Sequence, residues 1–384
     1  MSSSTAVMET QFTEAFKERL DSEKDPAFKK LREEAFALFA DAGFPAVKQE
    51  DWKYTNVAAI GNAAWNVASI SPDLSSADES SGAELSRFRF DRNGFTALNF
   101  ALAEFVVVRI PNETVIKEPI ELNFAAQDAE AIFPHILIIA GSGSKATLVE
   151  TYSATGKAFS NTAVQIVVED NAHLTHYRVQ KDSADAFNYG ATEITLGQAV
   201  YDSTNINLGG AIARHDIELR FTAEGGEAWV DGLYMLSGTQ HSDTHSVIDH
   251  AVPNCVSHQT YKGVLDESAR GVFNGKVFVR EGASGTDAGQ QNKNLLLSND
   301  ARVDTKPQLE IFNDDVKCTH GATVGQLEDE ELFYLMTRGL PEALARNLLT
   351  YGFAEEIINK ISISSIKDDL DQTVLNRLSA EMEL

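Results

Sequence analysis

Scarcity narrows the reading of this 384-residue sequence first. Cysteine occurs twice, at Cys255 and Cys318, too few for a disulfide framework, so both read as free thiols in a reducing compartment. Positive charge is in deficit: 32 Lys and Arg stand against 57 Asp and Glu, leaving a net charge of -25. That field opposes approach to phosphate backbones and anionic lipid, which removes nucleic acid and membrane surfaces from the expected partners. No apolar run reaches the roughly 18 residues that a membrane span needs. Met1 to Thr10 carry neither a basic segment nor a long apolar one, so a soluble, non-exported, cytoplasmic protein is expected. A nucleotide-binding loop is missing too. Gly141-Ser142-Gly143-Ser144-Lys145 lacks the G-x-x-x-x-G-K-S/T spacing and falls between strands, not ahead of a helix. It reads as a turn, so any ATP hydrolysis that the function needs must come from another chain.

What is present is enough apolar material, 43% of residues, in a chain longer than one ordinary core. Several units or one elongated architecture are therefore expected. Phe12, Ala15, Phe16 and Leu20 have helical spacing, Asp25-Pro26 reads as a cap and first turn, and Phe28, Leu31, Ala35, Leu38, Phe39 and Ala42 extend the stripe to Gly43 and Pro45. A helical unit is expected over residues 1–68. Residues 69–87 are rich in Ser, Asp and Glu, the composition of a polar linker. From 88 to 325 the texture changes to short β-branched and aromatic runs such as Phe105–Val108, Ile136–Ile139 and Val164–Val168, punctuated by glycines. No crossover helix is evident there, and no strict repeat. A stacked coil, a solenoid or a large sandwich all fit. Over 326–384 the helical period returns: one helix from Glu328 to Gly339, a second from Pro341 to Gly352, a third carrying Phe353, Ile357, Ile358 and Ile361, and a fourth from Ser364 to Met382.

The most informative stretch is Asp314-Asp-Val-Lys-Cys318-Thr-His320-Gly-Ala-Thr323. On a strand, Cys318 and His320 leave on one face with Cα atoms roughly 6 to 7 Å apart. A thiolate beside an imidazole suits iron, zinc or an iron-sulfur species. Two donors do not complete a site, so a second chain or exchangeable groups must supply the rest. By residue type alone the pair fits ordinary packed or solvated side chains better than a metal site. His241, Asp243 and His245 also share a strand face; they are expected to form a polar ladder on a solvated sheet surface, without metal. Trp52-Lys53-Tyr54-Thr55 reads either as a contact site or as an aromatic anchor between helical unit and β body, and is assigned no chemistry.

Several long motifs, in order, carry a resemblance. Gly263-Val-Leu-Asp-Glu-Ser-Ala-Arg-Gly-Val-Phe-Asn-Gly-Lys276 is followed by Gln290-Gln-Asn-Lys-Asn-Leu-Leu-Leu-Ser298. Ala301-Arg-Val-Asp-Thr-Lys-Pro-Gln-Leu-Glu-Ile311 comes next, and then Cys318-Thr-His-Gly-Ala-Thr323. Together they resemble the C-terminal signature of the SufB/SufD family, and the match runs from about His241 to Phe353. Gly43-Phe-Pro45 and Glu50-Asp-Trp-Lys-Tyr-Thr55 resemble its N-terminal motif, whereas 70–235 match in texture only.

The resemblance implies a right-handed parallel β-helix between helical ends, serving as a scaffold subunit for iron-sulfur cluster assembly and not as an enzyme. It implies a SufB-type paralogue joined edge to edge and a SufC-type ATPase docked on the C-terminal helices through Leu332, Phe333, Tyr334, Met336, Arg338, Leu344, Leu348, Tyr351 and Phe353. On their residues alone, those side chains equally describe helices packing on each other. It makes His320 a candidate cluster ligand at the paralogue interface, with Cys318 beside it in a less defined role. SufB-type sequences have Glu where Gly321 stands, and Cys255 does not match the context of their sulfur-accepting Cys; both departures favour the SufD-type branch. No catalytic residue, no tightly bound cofactor and no metal in the isolated chain are expected, the nascent cluster forming only with the partner. A homodimer of this chain can take the place of the heteromeric pair in isolation. Two other classes stay open on composition: a polysaccharide-cleaving β-coil enzyme, which predicts export and clustered carboxylates, and a polymerising structural solenoid.

Overall fold

The computed structural model describes residues 10–70 and 82–380. Its body is a two-sheet parallel solenoid. One sheet contains β1 (Asn66–Val67), β2 (Glu104–Ile110), β4 (Glu130–Ile132), β5 (Pro134–Ala140), β7 (Phe159–Val168), β9 (Phe187–Leu196), β11 (Ile212–Phe221), β13 (His241–His250), β15 (Arg270–Val279) and β17 (Arg302–Ile311). The other contains β3 (Ile120–Ala126), β6 (Lys145–Ala154), β8 (His173–Asp182), β10 (Val200–Asn207), β12 (Glu227–Leu236), β14 (Val256–Leu265), β16 (Thr286–Leu296) and β18 (Val316–Gly325). From β6 onward the chain visits the two sheets alternately. Each strand lies parallel to the strand two further along, as β13 does to β15 and β14 to β16.

This geometry explains the sequence texture. Inward side chains such as Leu174, Ile194, Leu219, Phe221 and Ile248 pack between the sheets, while the outward ones meet either water or a helix. Where a helix covers the outer face, both sides of the strand are buried, so every residue of Pro134–Ala140 is buried and Ile136 to Ala140 read as a continuous apolar run.

The helices lie along the flanks and leave the last coil uncovered. On the first sheet, α1 (Thr13–Ser22), α2 (Pro26–Ala42) and α5 (Gly94–Leu102) place Phe16, Phe36, Phe95 and Phe100 in one apolar cluster with Phe159, Phe187 and Tyr189. Asp25 caps α2 by accepting from Ala27 N at 2.7 Å, with Pro26 opening the helix. Two short helices, α3 (Ala58–Gly61) and α4 (Gly82–Leu85), complete this side. On the second sheet, α7 (Glu342–Ile358) and α8 (Ser364–Ala380) bury Ala354, Ile357, Ile358, Leu370 and Val374 against Val149, Tyr177, Ile206, Leu233 and Val264. Between β18 and α7, α6 (Asp329–Thr337) buries none of its residues.

Two expectations are revised. Residues 94–102 are helical within the stretch read as pure strand; α5 is buried on every side, so its sequence shows no stripe, and its start is marked by the Asn93 capping box, which accepts from Phe95 N at 2.8 Å and Thr96 N at 3.1 Å. The expected second and third C-terminal helices are one: α7 runs through Gly352, whose cost of about 1 kcal/mol is outweighed by the buried Ala354, Ile357 and Ile358 that follow. Most of the expected polar linker, residues 71–81, lies outside the described residues.

Candidate site at the open end of the solenoid

β17 and β18 terminate their sheets. β17 pairs only with β15 and β18 only with β16, so each presents one free backbone edge among the described residues. Register fixes which side chains face inward. Cys318 stands opposite Ala288 and His320 opposite Gln290, and both of those β16 residues are buried between the sheets. In-register parallel neighbours project to the same face, so Cys318 and His320 look into the solenoid at the one coil that no further coil covers.

Their environments differ. The Cys318 side chain packs against the small apolar group of Val277, Val279, Ala283 and Ala288. Partial burial, then the nearby Asp287 charge, push its thiol above the ordinary value. At neutral pH it is protonated, a weak donor until a metal displaces the proton. His320 is exposed. Among the described residues no third His, Cys, Asp or Glu joins them in a metal-holding group, so the pair by itself amounts to two donors of the soft and borderline kind. Cys255, by contrast, is buried, its Sγ donating to Ala223 O at 3.5 Å and Pro253 O at 3.4 Å. It is a packed thiol whose pKa burial raises.

The C-terminal residues divide between two faces. Phe333, at 68% exposure, stands with Tyr334, Met336, Leu344 and Leu348 as large side chains open to solvent. Arg338 lies over the Tyr334 ring at 5.0 Å, and Leu332 is partly covered. Tyr351 and Phe353 turn inward: the Tyr351 hydroxyl donates to Asp371 Oδ1 at 3.0 Å, and Phe353 lies under Lys262 Nζ at 4.4 Å.

His241, Asp243 and His245 do not form a solvated ladder. The Glu50–Thr55 segment folds over them, so that Asp243 is only 1% exposed. Its carboxylate accepts from Arg214 Nη1 at 2.8 Å and from Thr55 Oγ1, and lies 3.1 Å from His245 Nε2. Trp52 stacks near Phe95 and Tyr189 with the Arg214 guanidinium 3.7 Å above its ring. Of the two readings of Trp52–Thr55, the anchor is the one realised.

Interior polarity was hidden from the sequence. Gln290, Asn292 and Asn294 share one strand face, and all three are buried inside. The only signal available was that Gln, Asn and Asn recur at period two beside a glycine-rich facing strand.

Comparison with known proteins now decides the class. A family model described as "SUF system FeS cluster assembly, SufBD core domain" matches residues 123–353, more than half of the chain, and a second, "SufBD protein N-terminal region", matches 6–80. The chain belongs to the SufB/SufD family. It is 31% identical over 385 residues to the iron-sulfur cluster assembly protein SufD of Escherichia coli, covering 88% of this chain and 90% of that one. An iron-sulfur cluster assembly SufBD family protein of Synechocystis is 39% identical over 295 residues, covering 73% of this chain and 65% of the relative. SufD of Bacillus subtilis is 29% identical over 291 residues, covering 73% and 66%. Membership in the SUF family sets aside polysaccharide cleavage and a purely structural polymer. No described helix of this SufB/SufD-family chain is long and apolar enough to cross a membrane.

Proposed function

We propose that this chain is the SufD-type scaffold subunit of an iron-sulfur cluster assembly complex. Its open last coil pairs edge to edge with a SufB-type paralogue, and its exposed α6–α7 face docks a SufC-type ATPase. The observation that carries the reading is the coincidence of two features at one place: both sheets end there in free strand edges, and His320 and Cys318 face inward there. Free edges recruit another strand, and an incomplete donor pair recruits further ligands. The cluster is cargo. His320 supplies an imidazole nitrogen, Cys318 a thiol that becomes a thiolate on binding, and the paralogue the remaining donors. The chain itself performs no bond-making step, and the work of ATP hydrolysis reaches it through the α6–α7 face.

Co-expression with SufB-type and SufC-type subunits, followed by sizing and by iron and sulfide analysis, tests this. His320→Ala is expected to leave folding and assembly intact and to abolish cluster formation. Normal iron and sulfide in that variant complex would refute the ligand role. A chain that ignores both companions would refute the scaffold role.

A further inference from the structure

The interior behind His320 holds more hydrogen-bonding capacity than it uses. Gln290 on β16 is fully buried. Its Nε2 donates to Gln259 Oε1 at 2.8 Å, and the same oxygen accepts from Ser246 Oγ at 3.0 Å. With its nitrogen committed inward, Gln290 keeps its Oε1, which has no partner. A buried amide oxygen left alone is unfavourable, so a donor is expected within its reach. Space for this amide is made on the facing sheet by Gly275, where a Cβ would collide with the Gln290 amide nitrogen. Gln259 Nε2 on one side is also unpartnered, and on the other side strand register offers a second donor: His320 is the in-register neighbour of Gln290, on the same inward face, one strand spacing of about 4.8 Å away.

We propose that Gln290 is a positioning residue for His320. Its Oε1 accepts the N–H of one imidazole nitrogen, holds the ring as one tautomer, and turns the lone pair of the other nitrogen toward the open end. One amide N–H of Gln290 and the Ser246 hydroxyl both go to Gln259 Oε1, while Gln290 Oε1 is the atom left without a partner, which is the oxygen offered to His320. The inference rests on the reading of His320 as a cluster ligand and deepens it: an imidazole whose second nitrogen is tied to an oxygen acceptor is oriented and made a better donor. Without that acceptor, an exposed neutral imidazole exchanges between tautomers and rotates freely.

The test is isotope-edited imidazole NMR of the full-length chain, with the His320 signals identified by their loss in His320→Gln. Wild type is expected to show a single His320 tautomer, and Gln290→Leu a mixture, with the other histidine signals unmoved. A mixture already present in wild type overturns the proposal even if Gln290→Leu fails to fold, and so does a single tautomer that survives in the variant. In the reconstituted complex, Gln290→Leu is expected to assemble normally but to retain about tenfold less iron. If the tautomer shifts as expected while His320→Ala leaves iron content untouched, positioning stands and the cluster-ligand reading fails, so the two are separable.

Discussion

Asp243 sits out of water because Arg214 does too. Burial alone would raise its carboxyl pKa, but the Arg214 charge, with His245 and the Thr55 hydroxyl, outweighs this and holds it below the usual carboxylate range. Its contribution to stability is present above the unfolded value of about 3.9 and is lost as pH falls through the lower folded one. Asp243→Ala would leave Arg214 buried with only Asp216 as an ionic partner; a loss of about 3–5 kcal/mol in urea unfolding is expected, and a loss under 1 kcal/mol would show that the anchor bears little load. His250 acts in the same pH direction by a different route. Burial lowers its pKa to about 4, so between pH 6.5 and 4 the unfolded chain binds a proton that the folded one refuses. Stability falls with pH across that window, by up to about 3 kcal/mol from this group. His250→Gln should flatten the slope by at most one proton, read from unfolding midpoints at stepped pH; an unchanged slope would assign the titration elsewhere. The spacing of His241, Asp243 and His245 was visible in the sequence, but their burial was not, because it is imposed by Trp52 and Thr55 almost two hundred positions earlier.

At the level of elements, α7 has two unlike faces. Ala354, Ile357 and Ile358 are buried against the outer face of β12 and β14, while Leu344 and Leu348 stay in water. Deleting everything after Gly325 would therefore strip the apolar residues Tyr177, Leu233 and Val264 of their cover as well as remove the proposed docking face, and could not separate the two. Point changes can. Ile357→Ala is expected to cost about 2–5 kcal/mol through the cavity it leaves. Leu348→Glu combined with Phe333→Glu should change stability by about 0.5 kcal/mol or less per site and still abolish co-purification with the ATPase subunit. Retained co-purification would mean that the exposed stripe is not where the ATPase sits. Among these elements, α6 and α8 were readable from charge and period. α5 was not, since a helix buried all round has no polar side to mark its turn, and Gly352 misled because its local preference for ending a helix is weaker than the packing on either side of it.

For the whole molecule, the residue texture left a stacked coil, a solenoid and a large sandwich open, and only the motif resemblance implied the parallel β-helix between helical ends. A coil whose inward columns mix Leu219, Ile248 and Val277 with His215, Gln259 and Asn292 has no repeat to find, and only pairing in space shows that Gln259, Gln290 and His320 form one row. The proposed edge-to-edge pairing makes a prediction at the open end. Ile311 and Val324, at 39% and 48% exposure, belong to the last strands of the two sheets, where a partner coil would cover them. Charge placed on a free edge opposes strand addition, so Ile311→Lys with Val324→Lys should block the proposed pairing with the SufB-type paralogue, and any self-pairing of the isolated chain, as read by sedimentation. Both positions are already partly in water, so the circular dichroism and melting temperature should stay near wild type. If the double variant pairs as readily as wild type, the open end is not the joining surface, and the donors it carries must be completed from some other direction.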